Sequence, residues 1–116
     1  MMSNTNSAGD ATYTWTKVAE VADFAGRDAM QVSVANIDAA IFKVGEQFFA
    51  TDAFCTHATA LLCDGYVEGE EVECPLHSAR FHIPTGKVLT GPAIVDLKTY
   101  PLKVVGGDIL IGYCEN

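Results

Sequence analysis

Two short segments hold the residue types best suited to metal chemistry. Cys55-Thr56-His57 and Cys74-Pro75-Leu76-His77 each offer one thiol and one imidazole, as C-x-H and C-x-x-H, with sixteen residues between His57 and Cys74. A thiolate is a soft, anionic iron ligand, and a neutral imidazole binds through one nitrogen and leaves the other available. Two Cys and two His divided in this way suit a [2Fe–2S] cluster with dissimilar irons, one held by sulfur and the other by nitrogen. Two other readings stay open. Tetrahedral zinc accepts the same four ligands, although zinc fingers and ribbons usually put two Cys in one knuckle and two His in another. Cys and His also occur as ordinary core residues. The mixed-ligand cluster fits the spacing best, and it makes the chain an electron carrier.

The ligand choice decides the electron chemistry. An oxidised [2Fe–2S] core is doubly positive, so four thiolates leave a doubly negative site that becomes triply negative on reduction. Two thiolates and two neutral imidazoles leave a neutral site that gains one negative charge. Reduction is then easier, and the smaller negative charge lifts the potential from about −400 mV for all-thiolate plant-type centres to about −150 to +300 mV for mixed-ligand ones. One ring nitrogen each of His57 and His77 is expected to reach the surface as an electron exit. The same nitrogens are expected to bind protons in the reduced state and make the potential pH-dependent at alkaline pH.

Ligand loops with little core of their own need a brace. Residues 66–68 and 72–73 read as strands closed by Gly69-Glu70, a hairpin that brings Cys55 and Cys74 together. Beyond His77, residues 80–83 and 87–89 read as strands joined by Pro84-Thr85-Gly86. Ahead of the site, residues 13–18 alternate like an edge strand, and residues 20–28 form a turn or a single helical turn. Residues 30–34 and 37–44 have period-two character, with residues 36–38 between them, and Gly45-Glu46 makes a tight turn into residues 47–51. Residues 99–105 and 109–113 read as two final strands around Gly106-Gly107-Asp108. Short strands punctuated by Gly, Asn and Asp, without a helical stripe, predict an all-β antiparallel fold. It has base sheets and a small cluster-binding subdomain inserted at about residues 53–93. Residues 1–12 read as a mobile polar leader and residues 13–116 as a single domain.

The frame agrees with a small acidic carrier. The 116 residues carry a net charge of −8 and are 49% apolar, which suits one compact domain. That charge argues against nucleic acid and anionic membrane as partners, and it either suits a protein with a basic docking patch or serves only to keep the chain in solution. The N-terminus has no Lys or Arg and no apolar core of a signal peptide, and no apolar run approaches the roughly 20 residues of a membrane helix. The expected compartment is the cytoplasm, where a reducing environment favours thiols at Cys63 and Cys114 over the alternative of a disulfide between them. Glu68, Glu70, Glu71 and Glu73 surround a hairpin tip, as a solvated turn or a docking site. Arg80, just beyond the second loop, either steers a partner or pairs with a carboxylate. His82 reads as a strand residue rather than a ligand, and Trp15 and Tyr100 as packing residues. No nucleophile–base pairing, phosphate loop or dinucleotide fingerprint is present, so an enzyme acting alone is not expected.

Residues 46–102 resemble the Rieske-type ferredoxin components of bacterial aromatic-ring-hydroxylating dioxygenase systems. The string runs from FFATDAFCTH through DGYVEGEEVECPLHSARFHIPTGKV to LKTYPLKV. The resemblance implies a Rieske fold, with Cys55 and Cys74 on the inner ferric iron and His57 and His77 on the outer, reducible one. It implies that Thr90-Gly91-Pro92-Ala93 covers the cluster from a third side. It also implies a carrier that takes single electrons from a flavoprotein ferredoxin reductase to a terminal oxygenase, and a diffusing carrier is most simply a monomer. Where the family commonly has Gly after the first His, this chain has Ala58, whose Cβ disfavours positive φ. The high-potential respiratory members have an added Cys in each ligand loop, and Ala60 and Leu76 stand at those positions. Their Ser and Tyr donors to the cluster sulfurs are matched by Ala79 and Phe81. Without such donors to stabilise the reduced state, the expected potential lies at the low end of the Rieske range. The small Rieske subunit of an assimilatory nitrite reductase is the second reading, and a zinc-stabilised interaction module is the third.

Overall fold

Among the described residues, eleven antiparallel strands follow the hairpin signals. In chain order they are β1 (Thr14–Glu20), β2 (Ala29–Val34), β3 (Ile37–Val44), β4 (Gln47–Asp52), β5 (Tyr66–Glu68), β6 (Glu71–Glu73), β7 (Arg80–His82), β8 (Val88–Thr90), β9 (Thr99–Tyr100), β10 (Leu102–Val105) and β11 (Asp108–Tyr113). The structure is a computed structural model that describes residues 13–56, 60–76, 79–91 and 95–114. The leader at 1–12, His57, Ala58, His77, Pro92 and Ala93 lie outside the described residues. Among the described residues there is no α-helix, and short 3-10 turns occupy Val21–Phe24 and Leu62–Asp64.

The strands form three sheets, ordered β1-β11-β10, β2-β3-β4-β9 and β5-β6-β7-β8. The third is inserted in sequence between β4 and β9, which are themselves neighbours through Ala50 opposite Tyr100 and Thr51 opposite Thr99. The insertion therefore leaves and re-enters the base at adjacent points. Asp52 N–H donates to the Lys98 carbonyl at 2.9 Å, and the Tyr100 hydroxyl donates to Asp52 Oδ1 at 2.6 Å, closing that neck.

Two expected element boundaries need correction. Residues 99–105 read as one strand, but the chain changes sheets at Pro101, with β9 paired to β4 and β10 to β11. Proline has no N–H to give a ladder, and here only its carbonyl is used, by Gly112 N–H at 2.9 Å. The turn between β2 and β3 is at Ala35-Asn36 rather than at residues 36–38, with Ala35 at φ 54°.

The period-two reading also fails in the middle of β3, because both of its faces are covered. Ala39 and Ile41 join a core with Phe24, Val32, Ile109 and Ile111, between the first two sheets. Ala40 and Phe42 join a second core with Leu62, Val72, Phe81 and Ile83 of the insertion. Residues 39–42 are completely buried, which explains the unbroken apolar run Ala39-Ala40-Ile41-Phe42. Burial of a side chain the size of Ile41 or Phe42 stabilises the fold by about 1.5–3 kcal/mol.

Candidate metal centre

The two ligand loops are built to one plan. Glu73 and Arg80 face each other across β6 and β7, and on the next rung Cys74 N–H donates to the Ala79 carbonyl at 2.7 Å. In the first loop Phe54 bridges Leu61, and on the next rung Cys55 N–H donates to the Ala60 carbonyl at 2.9 Å. Each cysteine thus opens a loop that an alanine five residues later closes. The sequence carries this signal as Cys-x-x-x-x-Ala in both CTHATA and CPLHSA, and reading the ligand spacing alone misses it.

Both cysteines point into the same interior. Cys55 is 4% exposed and Cys74 1%, and they share a core with Ala60, Leu62, Val72, Ala79, Phe81, Ile83 and Leu97. No disulfide joins any of the cysteines. His57 and His77 belong to the same two loops but lie outside the described residues. Among the described residues no three of His, Cys, Asp or Glu come together as a metal site. Two buried soft donors heading matched loops, each loop with one histidine, fit a group that takes two sulfur and two nitrogen ligands.

Close backbone packing holds the loops in place. The hairpin β5–β6 carries the second loop, and at its foot Gly65 lies so close to Glu73 that a Cβ would strike the Glu73 carbonyl oxygen. Gly86, at φ +76°, closes the turn after β7, and a Cβ there would strike the Leu97 carbonyl oxygen. Residues 95–98 then form a strap, each tied to a different element. The Val95 carbonyl accepts from the Thr56 hydroxyl at 2.7 Å, and Asp96 Oδ1 accepts from Val88 N–H at 2.9 Å. Leu97 N–H donates to the Gly86 carbonyl at 2.7 Å, and the Lys98 carbonyl accepts from Asp52 N–H at 2.9 Å. No pattern in Val95-Asp96-Leu97-Lys98 announces this role.

The charged residues near the loops are engaged within the chain. Arg80 pairs with Glu68 at 3.1 Å, Glu73 at 3.5 Å and Glu71 at 3.6 Å. His82 is on β7, its ring bonded to Thr85 at 2.8 Å and Glu70 at 3.1 Å. The four glutamates are thus partners of Arg80 and His82 rather than a bare acidic tip. Burial, and then the Asp64 carboxylate, push the Cys63 thiol above its ordinary pKa, which keeps it a poor nucleophile. Trp15 packs edge-on against Tyr13, with Lys103 Nζ 4.2 Å from its ring centroid.

This arrangement matches a known family, the Rieske [2Fe-2S] domain, over residues 14–101. The chain belongs to the Rieske [2Fe–2S] domain family. It is 39% identical over 100 residues to the ferredoxin component of the naphthalene 1,2-dioxygenase system of Pseudomonas putida, covering 86% of this chain and 96% of that one. Among solved structures it is similar to the Sphingomonas yanoikuyae B1 ferredoxin, with a TM-score of 0.80 and 32% identity over 86% of this chain and 99% of that one. It is also similar to a chain in the complex of reduced oxygenase and oxidized ferredoxin in carbazole 1,9a-dioxygenase, with a TM-score of 0.80 and 30% identity over 88% of this chain and 95% of that one. The likeness to a putative NADH-dependent nitrite reductase small subunit from Mycobacterium tuberculosis, at 19% identity and a TM-score of 0.79, shows the Rieske fold alone. The cofactor is therefore a Rieske-type [2Fe–2S] cluster, and the zinc reading gives way to it. Its relatives are electron-transfer components rather than catalytic enzymes.

Proposed function

We propose that this chain is the ferredoxin component of an aromatic-ring dioxygenase or hydroxylase system, with Cys55, His57, Cys74 and His77 as its cluster ligands. The bound cluster supplies one-electron redox chemistry. Cys55 and Cys74 bring anionic sulfur to the buried side of the site, and His57 and His77 bring neutral nitrogen from the same loops. Leu62, Val72, Phe81 and Leu97 exclude water from the cysteine side. The observation that carries the reading is the pair of matched loops, each closed from its cysteine to an alanine five residues on.

Electrons enter from a flavoprotein reductase and leave to a terminal oxygenase. Phe54, Leu76 and Val95, which are 40%, 63% and 59% exposed and flank the loops, offer those partners an apolar contact. The carrier works as a cytoplasmic monomer, and among the described residues no helix is long and apolar enough to cross a membrane. Residues 13–116 act as one domain, with residues 53–93 as its cluster-binding part.

The full-length chain, isolated red-brown, should contain equal iron and acid-labile sulfide. Its reduced form should give a rhombic EPR signal with nitrogen couplings from two imidazoles. C55S, H57A, C74S and H77A should each lose that signal, and the wild type should accept electrons from a flavoprotein reductase and pass them to an aromatic-ring oxygenase. Zinc alone, or an all-thiolate diiron spectrum, overturns the reading.

A further inference from the structure

Thr56 stands between two proposed ligands, Cys55 and His57, yet its hydroxyl bonds a carbonyl 39 residues away, that of Val95. Val95 begins the strap whose next residues are fixed to β8 through Val88, to the turn after β7 through Gly86, and to the neck through Asp52. β8 pairs with β7, and β7 with β6, the two strands from which the second ligand loop springs. The strap therefore belongs to the framework of the Cys74 half-site. Of its four bonds, the one from Thr56 reaches the Cys55 half-site directly.

We propose that Thr56 is a positioning residue for the cluster, its hydroxyl setting the spacing and orientation of the first ligand loop relative to the second. This rests on the four-ligand reading above. The hydroxyl ties the strap to the residue between Cys55 and His57, whereas the Lys98–Asp52 bond and the packing of Leu97 hold the strap to the neck and the shared core. A cluster bridging two half-sites registers such a shift in its ligand geometry. It therefore registers the shift in its potential and spectrum as well as in its retention.

The test uses the full chain loaded with its native cluster, as wild type, Thr56→Val (the same shape without the hydroxyl) and Thr56→Ser (the hydroxyl without the methyl). Thr56→Val should shift the midpoint potential in voltammetry and alter the rhombic EPR signal. It should also lose visible cluster absorbance in urea about three- to tenfold faster, as expected for one missing hydrogen bond. Thr56→Ser should restore all three properties. If Thr56→Val does not load but Thr56→Ser does, the role of the hydroxyl stands. A wild-type potential and spectrum in Thr56→Val, or a Thr56→Ser protein that behaves like Thr56→Val, overturns it while leaving the ligand assignment intact. A wild-type chain without the two-imidazole signal overturns the ligand assignment, and this role with it.

Discussion

Arg80 stands opposite Glu73 in the β6–β7 ladder, 3.5 Å from its carboxylate and one rung from the Cys74–Ala79 bond that closes the second ligand loop. The same guanidinium, only 25% exposed, also holds Glu68 and Glu71. Arg80→Gln leaves three carboxylates repelling one another where the loop begins. We expect it to lower stability by about 1–2 kcal/mol, since exposed pairs contribute up to ~1 kcal/mol each and this group is a partly buried network. The loss should shrink in about 1 M salt, where the screening length is only about 3 Å. Urea unfolding followed by circular dichroism at low and high salt checks both statements.

Ala79 and Phe81 are completely buried in one core with Cys55 and Cys74, the proposed ligands, and have no hydroxyl to offer a cluster sulfur. Ala79→Ser and Phe81→Tyr should therefore raise the midpoint potential, because a donor favours the more negative, reduced state. A net hydrogen bond of about 1–1.5 kcal/mol corresponds to about 40–60 mV for a one-electron couple. Film voltammetry of each variant and of the pair measures the shift. A wild-type potential well above zero contradicts the low-potential assignment.

The Tyr100 hydroxyl is held above its ordinary pKa, chiefly by burial, then by its hydrogen bond to Asp52 and the charge of that carboxylate. The folded chain thus grips this proton more tightly than the unfolded chain does. Its contribution to stability is complete below the unfolded value of about 10 and declines as pH rises beyond it. Wild type should lose stability from about pH 10 upward more steeply than Tyr100→Phe. At neutral pH, Tyr100→Phe should be the less stable by about 1 kcal/mol, the worth of the lost hydrogen bond. Urea midpoints for the two proteins across that range decide it.

The hairpins were legible because their turns are chemically explicit. Gly45-Glu46, Gly69-Glu70 and Gly106-Gly107 each join the strands expected of them. The cofactor was legible from ligand type and spacing, and residue patterning was enough for an all-β fold. The break at Pro101 was missed because Thr99 to Val105 keeps a strand-like composition on both sides of the proline, and only pairing partners show that two sheets are involved. The matched closure of the loops and the strap at residues 95–98 are made almost wholly of backbone carbonyl and amide groups. Side-chain identity barely records such bonds, so local patterning cannot reveal them.

A strand that walls two interiors does not let damage stay on one side. Enlarging Ala40 would push the β3 backbone, and Ile41 with it, into the base; trimming Ile41 would slacken the support behind Phe42 and the cysteine chamber. The scaffold and the redox end should consequently unfold as one cooperative unit, and evolutionary change in either must be negotiated through four consecutive residues that touch no water.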